Sequence, residues 1–111
     1  MDLYNELQQK IKELEISIKQ LRTSGTNYAQ AERDYKVLLR HEVLKLRDEG
    51  QAIGVIDKIC YGIPEVAEAR FKRDVAETVY KANLEAINSI KLQLRLLENQ
   101  IQREYGSPVS Q

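Results

Sequence analysis

The chain has 111 residues, of which 17 are Lys or Arg and 17 are Asp or Glu, so its net charge is zero. A neutral chain has no bulk electrostatic attraction to nucleic acid or to an anionic membrane, which argues against proteins that bind either through overall charge. The 5 Gly and 2 Pro separate long runs of residues that favour helices. The sequence therefore predicts a single all-α domain over residues 1–111.

The first predicted helix covers residues 2–23 and carries a heptad seam. Spacings of three and four residues alternate along Tyr4, Leu7, Ile11, Leu14, Ile18 and Leu21. Such a seam is typical of a coiled coil, and Ile alternating with Leu favours two parallel strands, although an antiparallel partner within the chain produces the same seam. We expect Leu7, Ile11, Leu14, Ile18 and Leu21 to lie in an oligomer or partner interface.

Gly25 interrupts this seam, and two interpretations remain open there. As a helix-ending residue, Gly25 separates the first helix from a second one at 27–48. As a kink, it leaves one long helix. Further along, glycine ends the second helix at Gly50, a short apolar helix is predicted at 51–61, and a last helix at 64–105 begins with a proline. Residues 106–111 are expected to form a disordered tail.

The last predicted helix has an apolar face and a second apolar row. The face comprises Phe71, Val75, Val79, Ala82, Ala86, Ile90, Leu94, Leu97, Ile101 and Tyr105. Leu92 and Leu96 form the second row, and a single antiparallel partner covers only one stripe of a helix. We therefore expect a long helical hairpin or antiparallel coiled-coil bundle with a short connecting helix, which forms oligomers through the first seam and through Leu92 and Leu96.

The sequence contains no recognisable pattern of catalytic residues. His41 is the only histidine and Cys60 the only cysteine, so the chain lacks the several imidazoles or thiols of a typical zinc site. We expect Cys60 to be a small buried apolar residue. A Gly-rich phosphate loop is also missing. These observations predict a protein that is not an enzyme and that uses no metal and no cofactor.

Residues 44–71 are the basis of an alternative function. Their order of helix, glycine, short apolar helix, glycine and helix is similar to a helix-turn-helix unit. The reading helix would begin with Glu65 and Glu68, however, which are acidic where contacts to phosphates and bases should lie. We favour a hydrophobic plug at the end of a hairpin for residues 51–61. In the alternative, the nucleic-acid contacts would be Arg40, Arg70, Lys72 and Arg73.

Short motifs in residues 44–106 carry a resemblance to a known family. They are Leu46-Arg47-Asp48-Glu49-Gly50, Ile56, Lys58-Ile59, Gly62, Phe71, Arg73-Asp74-Val75-Ala76-Glu77, Tyr80-Lys81-Ala82, Glu85-Ala86-Ile87-Asn88-Ser89, Leu94 to Glu98, Gln100-Ile101 and Arg103 to Gly106. With these motifs the segment resembles small uncharacterised proteins encoded by phages and prophages of Gram-positive bacteria. The resemblance implies a phage product in the bacterial cytoplasm. It carries over no functional residue, because that family has no assigned activity.

These patterns predict a protein that works by presenting helix surfaces to another protein. We expect a homo-oligomer that binds a host or phage protein or a nucleoprotein complex, with nucleic acid itself as the second choice of partner. The first residues form no leader pattern, and no apolar run approaches the roughly 18 residues of a membrane span. The sequence therefore predicts a cytoplasmic protein without a membrane contact.

Overall fold

A computed structural model describes residues 2–106, and nearly all of them are helical. Helix α1 spans Leu3–Asp48, helix α2 spans Ile53–Ile59, and helix α3 spans Pro64–Tyr105, with a 3-10 turn at Cys60–Gly62 before α3. No strand occurs in the described part of the chain, so the all-α prediction is confirmed. Within the predicted tail, residues 107–111 lie outside the described residues.

Helix α1 is continuous through Gly25, where one interpretation of the sequence placed a turn. The predicted bounds of 2–23 and 27–48 are therefore wrong, and the one-helix alternative describes the chain. Gly25 keeps a negative φ, and a Cβ added to it would stand 3.4 Å from Cε1 of Tyr80. That is an ordinary van der Waals distance, so the ring of Tyr80 packs beside Gly25, and this glycine does not reverse the chain.

Helix α1 ends just before Gly50, as the sequence predicts. Gly50 has φ of +88°, the left-handed conformation that glycine adopts without a steric penalty. Its amide donates to the carbonyl of Arg47 at 3.0 Å, and the amide of Gln51 donates to the carbonyl of Leu46 at 3.1 Å. These two hydrogen bonds form a Schellman motif, which satisfies carbonyls at the helix end and directs the chain into α2.

The chain forms two compact units. The central unit is Ser24–Tyr80, and the terminal unit combines the described residues 2–23 and 81–106. Within the central unit α1 and α3 run antiparallel, since Tyr28 meets Tyr80 while Glu32 meets Arg73. The buried apolar side chains of the central unit are Tyr35, Ile56, Cys60 and Val66. Among the described residues of the terminal unit, Ile87 is the buried apolar side chain.

The connection between α1 and α3 contributes two side chains to the core of the central unit. Ile56 of α2 and Cys60 of the 3-10 turn are buried, in agreement with the apolar role predicted for Cys60. Ile53, Val55 and Ile59 are exposed. The plug interpretation of residues 51–61 therefore describes only part of this segment.

The apolar face predicted for the last helix is wrong in the first half of α3. Phe71, Val75 and Val79 are 63%, 46% and 48% exposed. In the second half, the predicted residues Ile90, Leu94, Leu97 and Ile101 are half-buried, whereas Tyr105 is 64% exposed. The inward positions of the first half include Arg73 and Tyr80, so a search for the most apolar side of the helix selects the wrong face there.

Candidate interaction surfaces

Polar and aromatic side chains join α1 to α3 inside the central unit. The Tyr28 and Tyr80 rings have centroids 5.8 Å apart, and the Tyr28 hydroxyl donates to Oε2 of Glu77 at 3.2 Å. Arg73 donates through Nη1 to Oε1 of Glu32 at 3.4 Å. Its guanidinium carbon also lies 4.7 Å from the ring centroid of buried Tyr35. This polar seam forms where a helix pair usually places apolar residues.

The charge of Arg73 is stabilised by the groups around it. Desolvation alone lowers the pKa of its guanidinium, but hydrogen bonds and Coulomb attraction from Asp74 and then Glu32 raise that pKa above its ordinary value. The Nε–H of Arg73 donates to Oδ1 of Asp74 at 2.9 Å, in addition to the contact with Glu32. The charge therefore serves the helix pair and is already compensated within the chain.

The apolar residues of the same part of α3 lie on its outer side. We call Phe71, Val75 and Val79 the α3 stripe; they follow one another at intervals of four residues, one helical turn each. They line a shallow groove of about 300 Å³ together with Ser24 and Asn27 of α1 and Lys72 and Ala76 of α3. The central unit thus has a polar seam between its helices and an apolar stripe facing solvent.

A repeat of seven residues marks the inward side of α3, and the search for apolar residues missed it. Val66, Arg73, Tyr80, Ile87, Leu94 and Ile101 are all buried or half-buried. The spacing is that of a coiled-coil seam, in which every seventh residue faces the partner helix. The seven-residue repeat includes the polar Arg73 and the amphipathic Tyr80, so it is visible only when polar residues are allowed at its positions. Because the α3 stripe lies on another side of the helix, the repeat predicts that the stripe is exposed.

The residues predicted to form an interface in the terminal unit differ in their exposure. Leu7, Ile11, Leu14 and Leu21 are half-buried, so the chain itself already covers most of each side chain, and Ile18 is slightly more exposed. Leu92 and Leu96 are 53% and 57% exposed. The structure therefore leaves Leu92 and Leu96 as the accessible members of this predicted set.

Leu96 and its neighbour Leu97 form the apolar part of a groove in the terminal unit, which we call the terminal groove. The groove has a volume of about 510 Å³, and its polar lining consists of Glu6, Gln9, Lys10, Glu13 and Gln93. Nζ of Lys10 and Oε2 of Glu13 form an ion pair at 3.0 Å. Apolar side chains beside a polar rim are the arrangement seen where one protein receives a helix of another.

The four residues of the nucleic-acid alternative lie in different environments. Arg73 is paired internally, and the guanidinium carbon of Arg70 lies 5.6 Å from the ring centroid of Tyr61. Lys72 is exposed and lines the shallow groove beside the α3 stripe. Arg40 lies on α1, on the same helix as Arg33 and Arg47. These three arginines are seven residues apart and all exposed, so they form a basic row on α1.

Within residues 2–106, no group of three or more His, Cys, Asp or Glu side chains is placed to hold a metal ion. The described helices include none with the length and apolarity that a membrane crossing requires.

Comparison of the chain with known protein families, with curated proteins and with solved structures gives no match.

Proposed function

We propose that the protein is a non-catalytic helical interaction protein that binds another protein through the terminal groove. The supporting observation is the exposure of Leu92 and Leu96, at 53% and 57%, beside Leu97. Burying apolar surface releases about 25 cal/mol for each Å² removed from water. A partner that covers these leucines gains this free energy, which the folded chain alone leaves unused.

The composition of the terminal groove defines the chemistry of the partner. A partner helix would place an apolar side chain on Leu96 and Leu97 and would direct polar side chains to Lys10 and Glu13 at the rim. The resemblance to phage proteins suggests where this partner is found. We propose a host protein or a nucleoprotein complex of the bacterial cytoplasm, reached by a phage-encoded factor.

A second candidate function is binding to nucleic acid. The basic row of Arg33, Arg40 and Arg47 favours it, because exposed arginines at regular spacing contact a phosphate backbone well. Exposed Val37 and Leu44 lie between these arginines on the same side of α1, and apolar side chains gain little from a phosphate backbone. We therefore rank this function second.

Affinity capture from a bacterial lysate, with and without nuclease, tests both functions when variants are included. We expect a bound protein that survives nuclease and whose capture falls at least about tenfold on Leu96→Asp, because the new carboxylate is desolvated in the groove. Ile16→Asp is the matched control, since Ile16 is 56% exposed on α1 of the same unit and does not line the groove.

The outcomes separate the two functions. Capture that is unchanged by Leu96→Asp would overturn binding through the terminal groove. The nucleic-acid function would be supported instead by two results. Nuclease treatment would abolish capture by the wild-type chain, and the double variant Arg40→Glu, Arg47→Glu would show no capture even without nuclease.

A further inference from the structure

The side of α1 that faces away from α3 carries arginines and apolar residues in alternation. We call these exposed residues the α1 face: Arg33, Val37, Arg40, Leu44 and Arg47. They follow one another at intervals of four and three residues, the spacing by which one helix packs along another. Tyr35, which is buried and contacts Arg73 of α3, lies on the opposite side of α1 from Val37, since two residues turn a helix by about 200°.

The arginines of the α1 face carry charges that the described part of the chain does not neutralise. No ion pair within residues 2–106 involves any of them. Arg33 donates through Nη2 to the neutral amide oxygen of Gln30 at 2.8 Å, while Asp34 accepts from Nε2 of that same amide at 2.9 Å. Asp48 follows Arg47 in sequence but forms no ion pair with it. Three positive charges are thus available to a partner, in contrast to the compensated charge of Arg73.

The mixture of charge and apolar surface on the α1 face defines the partner that fits it. A phosphate backbone would neutralise the arginines but would place its own charges against Val37 and Leu44. An anionic bilayer takes up helices with a broad apolar face, and the α1 face has only these two apolar side chains. A helix that carries carboxylates beside apolar residues satisfies both kinds of side chain at once.

A groove beside the α1 face gives such a helix a place for a large apolar side chain. The groove has a volume of about 640 Å³, and two aromatic rings line it together with side chains of the face and a lysine: Tyr28, Tyr80, Arg33, Val37 and Lys36. The carboxylate in this lining, Glu32, is already paired with Arg73 at 3.4 Å and lies 3.9 Å from Nζ of Lys36. The groove therefore combines aromatic surface with a positively charged rim.

We propose that the α1 face binds an acidic amphipathic helix of another protein, which places a large apolar side chain in this groove. Further apolar side chains of that helix cover Val37 and Leu44. Carboxylates seven residues apart pair with Arg40 and Arg47, which are two helical turns, about 10.5 Å, apart. Guanidinium and carboxylate form paired hydrogen bonds of high strength. This contact goes beyond binding through the terminal groove, because it uses the central unit and a partner of defined charge.

Titration of the full chain with a fluorescently labelled peptide tests this inference. The peptide is a designed helix of about three heptads with Leu at the apolar positions and Glu beside them. A second peptide has the same composition in scrambled order, so that its Leu and Glu share no helix face. We expect a dissociation constant on the order of tens of micromolar for the first peptide and binding at least about tenfold weaker for the second.

Two pairs of variants locate the binding on the α1 face. Arg40→Glu should weaken it at least about tenfold, whereas Lys45→Glu, the same change of charge at an exposed position on a different side of α1, should change it by about threefold or less. Val37→Ser should weaken binding at least about threefold by removing apolar contact, and Val79→Ser on α3 should leave it unchanged. Circular dichroism should show the same helix content in all four variants.

Four results would overturn the inference. They are no binding of the amphipathic peptide, equal binding of both peptides, a loss on Lys45→Glu as large as that on Arg40→Glu, and tighter binding of a single- or double-stranded DNA oligonucleotide that Val37→Ser leaves unchanged. The last result would assign the α1 face to nucleic acid. Leu96→Asp should leave peptide binding unchanged, because Leu96 belongs to the terminal unit, so failure here is distinguishable from failure of the function proposed there.

Discussion

At the residue scale, Arg73 explains why the central unit is built differently from a simple coiled coil. It occupies a position seven residues after Val66 and seven before Tyr80, where the repeat normally has an apolar residue. Burying a charge there is costly unless it is paired. Glu32 and Asp74 supply the paired carboxylates, and the Tyr35 ring covers the flat face of the guanidinium. The position is therefore specific for arginine and its partners.

Replacing Arg73 by alanine should lower the free energy of unfolding by about 1–3 kcal/mol, because half-buried Glu32 keeps only its longer ion pair with Lys36, at 3.9 Å, and the Tyr35 ring loses its cover. Urea denaturation at a fixed protein concentration measures this loss. Arg70→Ala serves as the control, because its contact with the exposed ring of Tyr61 is worth only about 0.5–1 kcal/mol. Equal losses in the two variants would contradict the role assigned to Arg73.

At the element scale, the ends of the helices follow from local backbone chemistry. The Schellman motif at Gly50 requires a positive φ, which costs other residues roughly 1–2 kcal/mol. Pro64 begins α3, where its missing amide hydrogen leaves no helix bond unmade. Gly25 has no such backbone requirement, and α1 passes through it. In this chain, glycine therefore ends a helix where it adopts a positive φ, as at Gly50, and not where it keeps a negative φ, as at Gly25.

A pair of glycine substitutions tests this distinction. Gly50→Ala should lower the free energy of unfolding by about 1–2 kcal/mol, since alanine is strained at φ of +88°. Gly54→Ala should instead raise it by up to about 1 kcal/mol, because Gly54 is helical and an added Cβ meets nothing within 4 Å. Thermal unfolding of both variants gives the comparison, and a stabilised Gly50→Ala would rule out the left-handed helix end.

At the scale of the whole molecule, the two units differ in how much they bury. The central unit has the buried side chains of Tyr35, Ile56, Cys60 and Val66, while Ile87 is the one in the described residues of the terminal unit. Local stability follows the density of buried apolar contacts. The two ends of the same helix α1 therefore lie in units of different expected stability.

Native-state hydrogen exchange should show this difference along α1. We expect the amides near Tyr35, and those of Ile56 and Val66, to exchange most slowly, and the amides from Leu7 to Leu14 to exchange faster, since the terminal unit opens at a lower free energy. Proton–deuterium exchange followed by NMR gives the rates residue by residue. Uniform protection from Leu7 to Tyr35 would show that α1 opens as one cooperative element instead.

The sequence by itself determined the features that depend on neighbouring residues in the chain. The all-α class, the helix end before Gly50, the helix start at Pro64 and the burial of Cys60 all follow from local backbone chemistry or local apolar pattern. The seven-residue repeat of Leu7, Leu14 and Leu21 continues at Tyr28 and Tyr35 without a change of spacing. This unbroken repeat predicts that α1 continues through Gly25.

Only the tertiary structure decided which side of α3 faces α1. The choice depends on partners distant in sequence, because Arg73 faces inward to contact Glu32 and Tyr35, and Tyr80 faces inward to contact Tyr28. Hydrophobicity along one helix does not encode these pairs. The same choice turned the α3 stripe of Phe71, Val75 and Val79 outward, since a helix that places one face against a neighbour must leave the opposite one for solvent or for another chain.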